Sequence, residues 1–276
     1  MEKIIIKKLR NLFSKKKIVI GVVHLKPLPG SPKYNGESVD SIFEIALNDT
    51  ENYLRGGIDA IIVENHGDIP FSKPDDIGPE TVSMMSVITS KLKEKYKKVC
   101  FGVNVLANDA ISAIAVAKAS NASFIRVNQY ANAYVANEGI IEGLAPKITR
   151  YRKWLCAESV SIFTDVHVKH GSHSIVSDRS INELAKDCEF FDSDVLIATG
   201  SRTGDDAIID EVSEIKKATC LPVLVGSGVN KENLELYYPV SDGFIVASSL
   251  KSEGNWQNPV EYERVKSFVK TMELLS

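Results

Sequence analysis

At 276 residues, with 44% hydrophobic and 25% charged content, the chain has the makings of one large globular domain or two small ones, and its composition excludes a disordered protein. No apolar run approaches the roughly 18 residues needed to cross a bilayer, and the N-terminus lacks the apolar core and small-residue cleavage site of a signal peptide, so a cytoplasmic location is expected. The net charge of -3 hides an asymmetry: "MEKIIIKKLRNLFSKKK" carries seven Lys/Arg against one Glu, leaving 26 basic and 35 acidic residues in the remainder, a balance that argues against nucleic-acid binding.

Residues 1–17 place Ile5, Leu9, Leu12 and Phe13 at helical spacing and predict a short basic amphipathic helix. Docking on the body of the fold is its preferred role; peripheral contact with a membrane surface is the alternative. Cys100, Cys156, Cys188 and Cys220 are widely spaced with no C-x-x-C pair, which argues against a disulfide framework or a cysteine zinc site.

From Ile18 onward strand and helix signals alternate. "IVIGVV" (18–23) is a β-branched run suited to a strand buried on both faces. After a loop rich in Pro and Gly, Ser38 is a fitting N-cap for a helix carrying Ile42, Ile45, Ala46 and Tyr53 on one stripe and ending at Gly56-Gly57. A strand follows over 59–65. The pairing repeats with helices over 79–96, 109–120, 142–156, 180–190, 206–218, 231–237 and 259–273, and strands over 99–105, 123–128, 161–168, 194–199, 222–226 and 242–247. Eight such units predict an α/β fold, a single (β/α)8 TIM barrel over 18–276 preceded by the short N-terminal helix, because a closed parallel sheet covered by crossover helices leaves no edge. An open doubly wound sheet is disfavoured by the lack of a G-x-G-x-x-G turn and of a second domain.

The C-terminal ends of barrel strands carry the chemistry, so alternation along each strand selects candidates. In "SIFTDVHVK" the parity of Ile162, Val166 and Val168 turns Phe163, Asp165, His167 and Lys169 inward. The same reading selects His24 after the first strand, Glu64 or Asn65 after the second, Asn104 in the third, and Arg126 with Asn128 in the fourth. A buried arginine needs an anion, so Arg126 is expected to meet Glu64, Asp165 or a substrate oxyanion. "PVLVGSGVN" and "FIVASSLK" bring Gly226, Ser227, Gly228, Ser248 and Ser249 to the loops after the last two strands, where barrels often hold phosphate. His170 and His173 fall in the polar loop "KHGSHS", where solvation is favoured over a role as lid histidines. A divalent metal held by Glu64, Asp165, His167 and His24 is an option, but no tight ligand spacing supports it, so no cofactor and no metal ligand is assigned.

The stretches "IGVVHLKPLPGSP", "GGIDAIIVENHGDIPF", "FIRVNQ", "DVHVKH", "ATGSRTG", "LVGSGVNKEN" and "SLKSEGNWQNPVEYERV" together resemble the BtpA/SgcQ family over nearly the whole chain from Ile18. The resemblance implies a TIM barrel related to ribulose-phosphate-binding enzymes. For activity it points two ways, since some members are associated with biogenesis of photosystem I and others are encoded beside sugar-uptake and sugar-metabolism genes. "QYANAYVANEG" lacks the glycine expected after the fourth strand, and Ala247 stands where a glycine is common.

Two functions are therefore expected. One is an enzyme binding a small phosphorylated metabolite, a sugar phosphate above all, with isomerase or aldolase/lyase chemistry from Asp165, His167, Lys169, Glu64 and Arg126. The other is a non-catalytic biogenesis factor for a membrane complex that keeps the barrel as a scaffold. A homo-oligomer is expected on general grounds.

Overall fold

The computed structural model describes residues 17–200 and 205–276. The basic N-terminal helix expected over 1–17 falls outside the described residues except for Lys17, as does part of "ATGSRTG".

Eight parallel strands close a barrel. They are β1 (Ile18–His24), β2 (Ala60–Glu64), β3 (Cys100–Asn104), β4 (Phe124–Val127), β7 (Ser161–Asp165), β9 (Val195–Ala198), β10 (Val223–Val225) and β11 (Gly243–Val246), with β11 pairing back onto β1. Between and after them, among the described residues, lie α1 (Val39–Arg55), α2 (Pro79–Lys95), α3 (Ala110–Ser120), α4 (Ala145–Trp154), α5 (Ile181–Phe190), α6 (Ile209–Ala218), α7 (Leu234–Tyr237) and α8 (Tyr262–Leu274). No described helix is long and apolar enough to cross a membrane.

The strands read as apolar runs because both faces are covered. One parity points inward: Ile18, Ile20 and Val22 of β1, Ala60 and Ile62 of β2, Phe124, Phe163, Val195, Ile197, Leu224 and Ile245 form the barrel interior. The other parity, including Val19, Ile61, Val63, Phe101, Val103 and Ile125, packs with Ile42, Met85, Ile114 and the buried faces of the other helices. The Phe124 and Phe163 rings stack at 4.3 Å inside the barrel. Gly102 makes room for this, since a Cβ there would come within 2.2 Å of the Phe124 ring.

Local signals set the helix ends. The Ser38 side chain accepts the Ser41 N–H at the start of α1, satisfying a donor that the first turn leaves open. Beyond the helix, Gly57 takes φ +99°, a backbone region that a side chain disfavours. A capping box between Ser180 and Glu183 begins α5.

Three differences from the sequence expectation bear on the site. The strand expected over 161–168 ends at Asp165. The helix expected over 231–237 is a single turn, Leu234–Tyr237. Between β4 and α4 the chain adds a hairpin, β5 (Ala133–Ala136) and β6 (Gly139–Glu142), joined antiparallel by the short β8 (Gly171–Ser172). Tyr134, Ile141 and Val168 form a small apolar cluster of their own. Val168 thus belongs to the hairpin rather than to the helix layer, and the chain after Asp165 departs from the barrel alternation.

Candidate functional site

At the C-terminal end of the barrel the inward series changes from apolar to polar. Across β1, β2 and β3, His24, Glu64 and Asn104 are register partners in one rung. Above the apolar interior opens a cavity of about 1010 Å³. Its walls include His24, Glu64, Arg126, Asn128 and Lys169, the loops after β10 and β11, Tyr134 of the hairpin, and Trp256. A mouth of this size is of the order that holds a small metabolite.

Arg126 and Asp165 form a buried bidentate pair, Nε to Oδ1 at 3.0 Å and Nη2 to Oδ2 at 2.9 Å. Asn128 adds a third donor to Oδ2 at 3.3 Å, and its own Oδ1 is buried without a partner. Burial alone would lower the guanidinium pKa; the Asp165 charge and hydrogen bonds raise it. Arg126 is therefore a fixed cation, and Asp165 its counter-ion.

Lys169 reaches the mouth from the chain beyond β7 and is partly buried there. Desolvation, then the nearby Arg126 charge, pull its pKa from 10.5 down to about 8, against the opposing charges of Glu64, Asp165 and Asp205. At neutral pH roughly one molecule in ten then carries a free amine there, which makes it a competent base or nucleophile.

At the ends of β1 and β2, His66 Nδ1 lies 3.3 Å from Glu64 Oε1, and the His24 and His66 rings stack at 4.4 Å. His24 Nδ1 faces the Trp256 carbonyl at 3.3 Å, and the Trp256 ring stands edge-on to His66 at 4.5 Å. Burial would raise the Glu64 pKa, but the His66 hydrogen bond, together with nearby positive charge including that of Arg126, holds it well below the usual carboxylate range. Burial, then the charges of His66 and Lys251, push His24 well below 6.5. Glu64 is thus ionised and His24 neutral at neutral pH.

The residues chosen for phosphate, Gly226, Ser227, Gly228, Ser248 and Ser249, all line this cavity. Gly228 takes φ +68°, and a Cβ there would lie 2.4 Å from the Asp205 carbonyl oxygen, so both conformation and space demand glycine. The Ser249 hydroxyl donates to the Val229 carbonyl at 2.7 Å and ties the two loops together.

The other sequence candidates take different places. Asn65 is a clamp: its Oδ1 accepts the Leu106 N–H at 2.7 Å, and its Nδ2 donates to Asp68 and to the Leu106 carbonyl. This clamp fixes the turn His66–Asp68 and with it the His66 ring. Asn104 is buried with neither side-chain polar atom partnered. His167 turns away from the mouth. It lies in a separate shallow cleft with His173 and Arg179, its Nδ1 3.4 Å from Glu211, because the inward alternation stops with β7. His173 is not solvated as expected: its Nε2 meets the Val168 carbonyl at 2.8 Å and its ring stacks on Tyr134. Sequence reasoning missed His66 and Trp256, although both stand in the quoted stretches "ENHGDIPF" and "SEGNWQNP".

Comparison with known proteins agrees with this fold. The chain is 42% identical over 259 residues to an uncharacterized protein of Pyrococcus horikoshii, covering 94% of this chain and 97% of the relative. It is 36% identical over 255 residues to the photosystem I biogenesis protein BtpA of Synechocystis, covering 92% and 87%. Among solved structures, N-(5'-phosphoribosyl)anthranilate isomerase from Pyrococcus furiosus superposes with a TM-score of 0.57 at 15% identity, over 94% of this chain and 99% of that one, a likeness of fold alone. The profile of the BtpA family matches residues 15–274, and the chain belongs to that family.

Proposed function

We propose that this protein is an enzyme acting on a small phosphorylated metabolite, of sugar-phosphate type, by proton transfer or carbon-carbon cleavage. The observation that carries the reading is Lys169, an amine lowered to about 8 in the same cavity as the paired glycine and serine loops. The phosphate would rest against Gly226–Gly228 and Ser248–Ser249, where backbone N–H groups at short turns suit an anion. The carbon skeleton would then extend toward Lys169, Glu64 and Arg126.

In this arrangement Lys169 moves the proton or adds to a carbonyl. Asp165 is held by Arg126 and serves to orient it, so the acid-base role expected of Asp165 passes to Lys169. Fixed positioning of this kind supplies several kcal/mol of barrier reduction before any proton moves. The similarity to barrel enzymes whose names include phosphorylated substrates is consistent with this reading.

A scaffold role has one observation in its favour, the name of the Synechocystis relative. Against it stands the polar mouth: burying Arg126, Asp165, Glu64 and His24 together costs stability that a scaffold has no reason to give up. A thermal-shift screen of phosphorylated sugars and their unphosphorylated counterparts tests the enzyme reading. The expected outcome is stabilisation by at least one phosphorylated compound that is lost in a Ser248→Asp variant. Equal response to the unphosphorylated compounds, or none to either set, would count against it.

A further inference from the structure

The mouth holds a second constellation, which the phosphate reading touches only at Glu64. His24, Glu64 and His66 each offer one ligand atom, and these atoms lie within 4.8 Å of one another. They come from two adjacent strand ends and the turn that follows, so the scaffold under them is rigid: His24 and Glu64 are register partners on β1 and β2, and the Asn65 clamp sets the turn carrying His66.

We propose that His24, Glu64 and His66 bind one divalent transition-metal ion of the zinc or manganese class, with its remaining coordination positions open to the cavity. Two imidazoles and one carboxylate are the donor set that such ions take, and sites that leave positions for water or substrate use three protein ligands. An ion with bonds of about 2.0–2.2 Å would draw the three side chains closer together and turn the stacked imidazoles toward it.

The surroundings match a metal-binding histidine in detail. The Trp256 carbonyl faces His24 Nδ1, so that nitrogen carries the proton and Nε2 keeps its lone pair, the outer hydrogen bond that metal-ligating histidines usually make. The indole of Trp256 and the ring of Phe71 border His66, shielding one side of the site from water.

The charge count is also consistent. Of the charged groups nearest the site, Arg126 is neutralised by Asp165 and Lys251 by Asp49. Glu64 provides the site's own negative charge, and Lys169 lines the same cavity. A bound divalent ion would leave the mouth electropositive, the condition for an anionic substrate with oxygen ligands to offer, such as adjacent hydroxyl and carbonyl groups. The metal site stands without the phosphate reading, and its test measures the metal itself.

Tag-free full-length protein, stripped by chelation, is titrated calorimetrically with Zn²⁺ and separately with Mn²⁺. One equivalent per chain is expected for at least one ion, and the X-ray absorption fine structure of the loaded wild-type protein should show two imidazoles in a nitrogen and oxygen shell. A His24→Ala/His66→Ala variant should bind about 100-fold more weakly or worse. Absence of saturable binding of either ion, a sulfur ligand in the absorption spectrum, or undiminished binding by the folded double variant would each overturn the proposal. Should that variant not fold, the wild-type titration and spectrum decide between these outcomes.

Discussion

Arg126 on β4 and Asp165 on the neighbouring strand β7 meet at the barrel mouth through two parallel hydrogen bonds of 3.0 and 2.9 Å, with almost no exposure on either side chain. Such a pair is asymmetric in energy. Its formation contributes little net stability, while removal of one partner strands a buried charge at a cost of about 3–5 kcal/mol. Asp165→Asn and Arg126→Met are each expected to lower the urea midpoint accordingly, and the double replacement by apolar residues to restore most of the loss. Additive single effects in that cycle would show that the two side chains are not coupled.

Lys169 gives the protein a pH signature. Its pKa is lowered from 10.5 to about 8 in the folded state by desolvation and by Arg126, whereas the unfolded chain keeps the ordinary value. The folded state therefore holds the lysine proton less tightly, and the protonated amine opposes folding. That penalty is full below pH 8 and disappears as pH rises from 8 toward 10.5, where the unfolded state binds more protons than the folded one. Lys169→Met should be more stable than the wild type at pH 7, and the difference should shrink above pH 8. Amine acylation followed by peptide mapping should show Lys169 half-reactive near pH 8, ahead of the surface lysines. A half-reaction point near 10.5 would remove Lys169 from the proposed chemistry.

Ser227 and Ser248 line the cavity from the neighbouring loops after β10 and β11. If an anion rests there, a carboxylate in place of one hydroxyl should repel it. Ser248→Asp is expected to weaken binding of a phosphorylated ligand at least 10-fold, about 1.4 kcal/mol, with unfolding in the absence of ligand little changed. Unaltered affinity would move the phosphate elsewhere in the mouth.

The barrel and half of its mouth were legible from period and parity. Glu64, Arg126 and Asp165 sit on regular strands whose apolar neighbours alternate, so inward direction could be read from the residues themselves. His167 broke that logic because β7 stops at Asp165, and two residues of irregular chain suffice to turn a side chain out of the barrel. The stop was hidden in "VHVK", which keeps an alternating pattern only because Val168 packs on the β5–β6 hairpin. That hairpin had a signal of its own, the alternating "AYVA" and "GIIE" around Gly139 at φ +101°. His66 lies on a turn, where no period applies. Only its place two residues beyond a strand-end carboxylate could have marked it.

His167 therefore makes a discriminating control. With its imidazole beside Glu211 and His173 in a cleft outside the mouth, His167→Ala should leave binding of a phosphorylated ligand within about twofold of the wild type and cost no more than about 1 kcal/mol of stability, as partly exposed ion pairs do. A large loss of binding with the fold intact would return His167 to the site.

Lys251 and Asp49 support the mouth from behind. Lys251 is almost completely buried, its Nζ 3.5 Å from Asp49 Oδ2, while Asp49 Oδ1 accepts the Val260 N–H at 2.8 Å. Asn52, also on α1, donates to the Val260 carbonyl at 3.0 Å. The segment from Lys251 to Val260 is thereby pinned at both ends to α1, and its middle carries Trp256 against His24 and His66. Asp49→Asn keeps the acceptor for Val260 but leaves the Lys251 ammonium without its counter-ion, a change expected to cost about 3 kcal/mol. In a Trp154→Phe background, where Trp256 is the remaining indole, its emission should shift to the red as the segment loosens. Adding Lys251→Met should recover both stability and emission, because the segment then has no buried charge to satisfy. Emission that stays unshifted in Asp49→Asn would mean that Trp256 is held by the mouth alone, without the anchor on α1.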